Sequence, residues 1–474
     1  MTRARTNAWL LTGLAALALA IQFLIVPIDA DVSWLITVSE RVLAGQRLYI
    51  DIFEVNPPAS VWLYLPQVAL AHVLGVRPET LIVVATTIAA LASTMITARL
   101  CRLQGVAPTI VVLLIGFVTL ILPGGLYAQR EHYALLLMLP VAAVMARIAE
   151  RKALAVSSLL LAGSAAGLVI VIKPHFIFAI VLPAIYAANA GRAWRAIAVA
   201  AGAAAVMLAA YAAAILAAAA AYLGAVPMLA EIYGPMRDST ANLLLGSAVL
   251  VPAVLAALAW VLRPGALTRF QMILALAVAG FTIAVLIQGK GYWNHALPGI
   301  GLGLVMLGWS VFSPRQPIAR SRAGRLALAG VALAVLYATL SIQPPPGLVA
   351  TLKAVAPPNP SVITLGTELS TGHPAVRLVD GRWAGSRASL FTAAGVRYRT
   401  ANRTGNVPPE LERHYREDIR TFARDVTRNR PTVILVEEKA SGWLIKEPEI
   451  AAVLSGYRPA ARAGKISIWL RRPG

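Results

Sequence analysis

Apolar runs of about 17 to 25 residues recur along the chain, the length a helix needs to cross a hydrocarbon core roughly 30 Å thick. A hydrocarbon interior offers backbone N–H and C=O groups no partner but each other, so such repetition commits the chain to a helical bundle. Composition agrees: 58% of residues are hydrophobic and 13% charged, about half the charged share of an average soluble domain. Spans are expected at 8–27, 80–98, 108–123, 133–147, 153–172, 176–190, 196–222, 243–261, 270–287, 296–312 and 325–341. The run Ala8–Val26 after MTRAR has the look of a signal peptide. Because many spans follow, it reads as an uncleaved first helix. The single cysteine, Cys101, excludes an intramolecular disulfide.

Charge gives the orientation. Lys and Arg of short loops stay in the cytoplasm, and fifteen of the basic residues before position 342 fall in alternate loops, Arg99, Arg102, Arg147, Arg151 and Lys152 among them. The opposite side has seven: Arg41, Arg47, Arg77, Arg130, Lys173, Arg237 and Lys290. Acids partition the other way, since of ten Asp and Glu before residue 342 only Glu150 lies on the cytoplasmic side. Residues 58–76 are apolar enough to span, but counting them as a span would put the Arg-rich loops outside. They are therefore read as a juxtamembrane helix along the outer interface, where Trp62, Tyr64 and His72 fit.

After the proline-rich SIQPPPG the character changes. Residues 342–474 contain 20 Lys+Arg and 11 Asp+Glu and no further span. SVITLG, PTVILVEE and ISIWLRR read as strands and RHYREDIRTFARDVTRN as an exposed helix. The expected architecture is thus a polytopic α-helical membrane module, residues 1–341 with a first outer loop 28–79, followed by a small extracytoplasmic α/β domain, 342–474.

The outer side carries the chemistry. The first loop holds Asp29 and Asp31 just past the first span, and Asp51 and Glu54 just before the rigid turn Asn56-Pro57-Pro58. A carboxylate at the water–lipid boundary suits a general base toward a hydroxyl, or a metal ligand; solvated acids that set helix ends are the plainer reading. YAQREHYALLLMLP puts Arg130, Glu131 and His132 against an outer span end. VIKPHFIF does the same with Lys173 and His175, and IQGKGYWNHALPG with Lys290, Tyr292, Trp293 and His295. Singly, a lysine there snorkels and a histidine caps. Jointly, Arg130, Lys173 and Lys290 oppose the positive-inside rule, and cations gathered there fit an anionic ligand such as a lipid phosphate.

The order Asp31, SERVLAGQRLY, FEVNPP and ASVWLYLPQVALAHVLG resembles the glycosyltransferase C superfamily of polyprenyl-phosphate-sugar-dependent transferases. The branch it looks most like contains protein O-mannosyltransferases and the lipid A aminoarabinose transferase. QREH, KPHF and QGKGYWNH look like outer-face motifs of bacterial relatives. The resemblance implies an inverting transferase of the cytoplasmic (inner) membrane. A first-loop acid acts as base, and the active site and C-terminal domain face the periplasm or exterior. Counting back from Gly45, Asp31 fits the base position better than Asp29, and Glu54 falls at the second first-loop acid. The family's acid pair is often Asp-Glu, and here it reads Asp29-Ala30-Asp31, so both aspartates remain candidates.

The implied partners are a polyprenyl-phosphate sugar donor, membrane lipids and a glycan, lipid or protein acceptor, with no nucleic acid. Arg130, Lys173 and Lys290 would hold the donor phosphate. Asp51, Glu54, Glu131, His132, His175, Tyr292 and His295 are candidates for binding substrate or a divalent metal ion. The rival readings are a polymerase or ligase of lipid-linked glycans, a lipid or sugar transporter, and a silent membrane scaffold for residues 342–474. A transporter would place ionisable groups at midplane, whereas here they gather at one rim.

Overall fold

The computed structural model describes residues 3–101, 105–401 and 408–473. Arg102, used above for orientation, lies outside them. The chain divides into two compact units. One comprises the residues up to Val26, Thr80–Leu216 and Asp238–Ile342; the other comprises Pro27–Glu79, Ala217–Arg237 and the chain from Gln343 on.

The first unit is helical, and the expected spans fall on helical segments. Seven stretches among the described residues are long and apolar enough to cross a membrane: Arg5–Leu24, Pro78–Leu100, Arg130–Ala149, Pro174–Gly191, Trp194–Ala218, Arg269–Gln288 and Ser321–Leu340. Length and apolarity alone therefore carry seven of the expected spans. The Trp293–Val311 helix runs through the interior, buried from His295 to Val311, and the Arg130–Ala149 helix is buried along most of its length. Aromatic edges lock neighbouring helices, as where Phe176 meets Phe281 at 5.0 Å and Phe270 meets Trp309 at 4.9 Å. A side chain at Gly280 would lie 2.4 Å from the backbone of Ala179, so glycine lets these two helices approach closely. The Ala-rich segment expected as one span over 196–222 is two helices, Trp194–Ala218 and Ala221–Tyr233.

The second unit is built on a five-stranded sheet of order β2-β1-β3-β5-β4. Its strands are β1 (Ser361–Leu365), β2 (Arg382–Trp383), β3 (Val433–Glu437), β4 (Tyr457–Ala463) and β5 (Ile466–Arg471). β1 runs parallel to β2 and β3, while β5 runs antiparallel to β3 and β4. The continuous apolar run of β3 is buried throughout, as expected of a strand covered on both faces. The Pro409–Asn429 helix turns Ile419, Phe422 and Val426 onto Ile363, Leu365, Ile434 and Val436. β4 escaped the strand reading because Pro459 interrupts it; edge strands tolerate that residue, and the ladder shifts register there.

The grouping of the first loop differs from the sequence reading. Residues 27–79 pack as part of the unit that contains the C-terminal sheet. Within them, the Ala30–Leu43 helix buries Val32 through Ser39. The expected juxtamembrane helix is two short ones, Ala59–Trp62 and Leu65–Leu74, that bury Val61, Tyr64, Val68 and Ala71.

Candidate functional site

In the first loop, Asp29 and Asp31 have different jobs. Asp29 is the N-cap of the Ala30–Leu43 helix, and its Oδ1 accepts the Asp31 backbone N–H at 2.8 Å. Aspartate is favoured there because it satisfies an otherwise orphaned donor. Asp31 lies in the first helical turn, half-buried, where the helix dipole favours a carboxylate.

Asp51 and Glu54 do not stand as an acid pair. Asp51 accepts from the Arg47 backbone at 2.9 Å and pairs with the Arg47 guanidinium at 3.1 Å in an exposed turn. Hydrogen bonding from Arg47 holds the Asp51 carboxyl below its usual range. Glu54 is buried, and its carboxylate accepts from Trp34 Nε1, Asn56 N (2.8 Å) and Asn56 Nδ2 (2.5 Å). These donors close the FEVNPP turn, so Glu54 has a structural role beside its candidacy for binding substrate or a metal.

In the helical unit the three charged motifs converge on Glu131. This carboxylate sits in the first turn of the Arg130–Ala149 helix, fully buried, and forms an ion pair with Lys173. His295 Nε2 lies 3.9 Å from Glu131 Oε1, and Lys173 Nζ donates to Gln288 Oε1 at 3.3 Å. Arg130, also buried, is within electrostatic reach of Glu131, and His175 within that of Lys173 and His295. Lys290 rests 5.7 Å from the Tyr292 ring centroid, and that ring is 5.4 Å from His295. Sharp turns bring the side chains together: Pro174 opens a short 3-10 turn, and Gly289 and Gly291 adopt φ of 69° and 59°, accessible to glycine without strain. Among the described residues, Glu131 Oε2 and His295 Nδ1 in this cluster are buried without a hydrogen-bond partner. Buried polar groups are nearly always paired, so such atoms mark a place suited to a polar ligand.

His132 does not join this group. Its Nδ1 accepts the Ala128 N–H at 3.1 Å, which leaves Nε2–H to donate to the Thr119 carbonyl at 2.8 Å. Thr119 lies in the π turn Phe117–Ile121, where the backbone ladder shifts. Both ring nitrogens of His132 are thus engaged by backbone groups. Among the described residues no group of three or more His, Cys, Asp or Glu side chains gathers as a metal site.

Residues missed in the sequence complete both places. Gln288 and the Asn294–Gln129 hydrogen bond (3.1 Å) carry no charge and so gave no signal, although Gln288 directly precedes the GKG turn. His373 and Arg377, in HPAVR, grip the first-loop helix from the C-terminal region. Their partners lie more than three hundred positions away, beyond any local pattern.

No protein-family model and no curated protein sequence matches the chain. Among solved structures, it is similar to the oligosaccharyltransferase AglB from Archaeoglobus fulgidus, held with an inhibitory peptide and a dolichol-phosphate. That likeness has 10% identity and a TM-score of 0.44, and covers 98% of this chain and 74% of AglB. It is also similar to the arabinofuranosyltransferase AftD from Mycobacteria, at 13% identity and a TM-score of 0.45, over 100% of this chain and 40% of AftD. The chain thus spans about two fifths of the length of the mycobacterial protein.

Proposed function

We propose that this protein is a membrane glycosyltransferase. It moves a sugar from a polyprenyl-phosphate donor to a glycan, lipid or protein acceptor on the outer face of the cytoplasmic membrane. The observation that carries the reading is the convergence of QREH, KPHF and QGKGYWNH on one buried cluster whose cations outnumber its single carboxylate. Cations held by packed helices at span ends suit a lipid phosphate whose tail lies among those helices. The first-loop pattern that resembles the glycosyltransferase C superfamily supports the choice of sugar transfer.

In this account Arg130, Lys173 and Lys290 hold the donor phosphate, and Asp31 is the base. Asp29 is the weaker candidate because its carboxylate caps the helix that carries Asp31. The acceptor oxygen attacks the anomeric carbon, its proton passes to the Asp31 carboxylate, and the bond from that carbon to the phosphate oxygen breaks. The departing electron pair stays on the lipid phosphate, where the cations stabilise it. Direct displacement inverts the anomeric centre. A positioned carboxylate base is worth about 10² to 10⁴ in rate.

The test supplies membranes bearing the wild type with a panel of radiolabelled polyprenyl-phosphate sugars. The expected result is transfer from at least one donor, with a KM for that donor raised about tenfold in Lys290→Gln, the usual loss for a charged hydrogen bond. Wild-type protein that transfers from no donor would overturn the proposal.

A further inference from the structure

The helix that carries Asp31 is held at both ends by one short stretch of the C-terminal region. Ser33 and Glu40, seven residues apart, lie on the same face two turns from each other. Ser33 Oγ lies 3.1 Å from His373 Nδ1. Glu40 receives both terminal nitrogens of Arg377, at 2.7 and 2.9 Å. His373 and Arg377 are four residues apart, so the segment that opens the Ala375–Leu378 helix spans the whole grip.

The N-terminal contact is reinforced by aromatic packing. Trp34 meets His373 edge-on at 5.4 Å and Trp383 at 6.2 Å, and the His373 and Trp383 rings lie 4.7 Å apart. Trp34 Nε1 in turn donates to Glu54. Arg377 also fixes the other end of the loop: its Nε donates to Glu79 at 2.6 Å, and Arg77 pairs with Asp380 at 2.9 Å. His373 is fully buried, with Nε2 making no hydrogen bond, so the ring is committed to Ser33 and to packing.

We infer that the C-terminal α/β region positions the first-loop base, with His373 and Arg377 as positioning residues that fix the helix turn carrying Asp31. This rests on the proposed reading in which Asp31 is the base. It gives residues 342–474 a task in the reaction that needs no ligand of their own. His373 sets the height and rotation of the helix N-terminus through Ser33 and Trp34. Arg377 prevents the far end from swinging by holding Glu40 and Glu79 together.

The experiment compares His373→Ala, His373→Asn and Arg377→Ala in the full-length protein in lipid nanodiscs, with two readouts. Asparagine can place a polar atom near the position of Nδ1 and serves as the rescuing variant. In hydrogen exchange, His373→Ala should speed the amides of residues 31–36 about tenfold, the effect of losing one buried hydrogen bond and its packing. Amides of the Arg130–Ala149 helix should be unchanged, and His373→Asn should restore most of the protection. In sugar transfer, His373→Ala and Arg377→Ala should lower kcat about tenfold or more, with the KM for the lipid donor unchanged and kcat recovered by His373→Asn.

Unchanged exchange at residues 31–36 would overturn the inference whatever the transfer assay reads. Faster exchange with wild-type kcat would overturn it too, because the helix would be held without consequence for the base. If the wild type transfers no sugar, the transferase reading fails, and the assignment of these residues to that reaction falls with it. The exchange result would still say whether the grip exists, so the two failures remain distinct.

Discussion

Lys173 and Glu131 form an ion pair inside the helical unit, with side-chain exposures of 9% and 0%. Removing one member of a buried pair leaves the other charge uncompensated, typically at a cost of about 3–5 kcal/mol, whereas removing both is far milder. Lys173→Met is therefore expected to lower stability strongly and Glu131→Gln/Lys173→Met to recover much of it. Thermal denaturation in detergent, read across both single variants and the double variant, gives the coupling directly.

His132 is expected to matter for folding and not for chemistry. It joins Ala128 N–H to the Thr119 carbonyl, and His132→Phe would remove both hydrogen bonds. The loss should be about 2–4 kcal/mol, two groups at roughly 1–2 each. Resistance to proteolysis would read it; full stability in the variant would contradict the bridging role.

Glu54→Gln tests whether that acid is an anchor. Both Asn56 donors reach Oε1 and Trp34 Nε1 reaches Oε2, so the amide's NH2 would face one of these donors in place of an oxygen. Proteolysis within residues 45–58 should become faster by about tenfold, from roughly 1–2 kcal/mol of lost hydrogen bonding. Unaltered cleavage would show that the turn closes without Glu54.

Burial, aided by the nearby Arg377 charge, pushes the His373 imidazole down to about 3. In the unfolded chain it titrates near 6.5, so between about pH 6.5 and 3 the unfolded state binds the extra proton. Stability from this site is therefore complete above about pH 6.5 and falls as pH drops toward 3, by up to about 1.4 kcal/mol per unit. His373→Asn should lack this component. The gap in melting temperature between wild type and variant, measured from pH 7.5 to 4.5, should shift steadily against the wild type. A constant gap would contradict the assignment.

Much of the fold was legible because its signals are local. The apolar runs fell on helices, seven of them long and apolar enough to cross a membrane among the described residues, and SVITLG, PTVILVEE and ISIWLRR marked β1, β3 and β5. The cluster was half legible: Arg130, Glu131, Lys173, His175 and His295 stood out because charge at span ends is costly, but their meeting on Glu131 depends on helix packing. The first loop was the least legible. DADVSW carries an N-cap signature, with aspartate just before a helix, yet read alone it is a pair of acids. Glu54 found its donor twenty positions back at Trp34, and Ser33 its partner at His373, contacts that no periodicity encodes.

The most direct test of the central claim is sugar transfer by Asp31→Asn beside Asp29→Asn in membranes holding equal amounts of folded protein. The account predicts that Asp31→Asn lowers kcat by about 10² or more, the contribution of a positioned base. Asp29→Asn, which can keep the cap through its amide oxygen, should retain most activity. Equal transfer by Asp31→Asn and wild type would contradict the account.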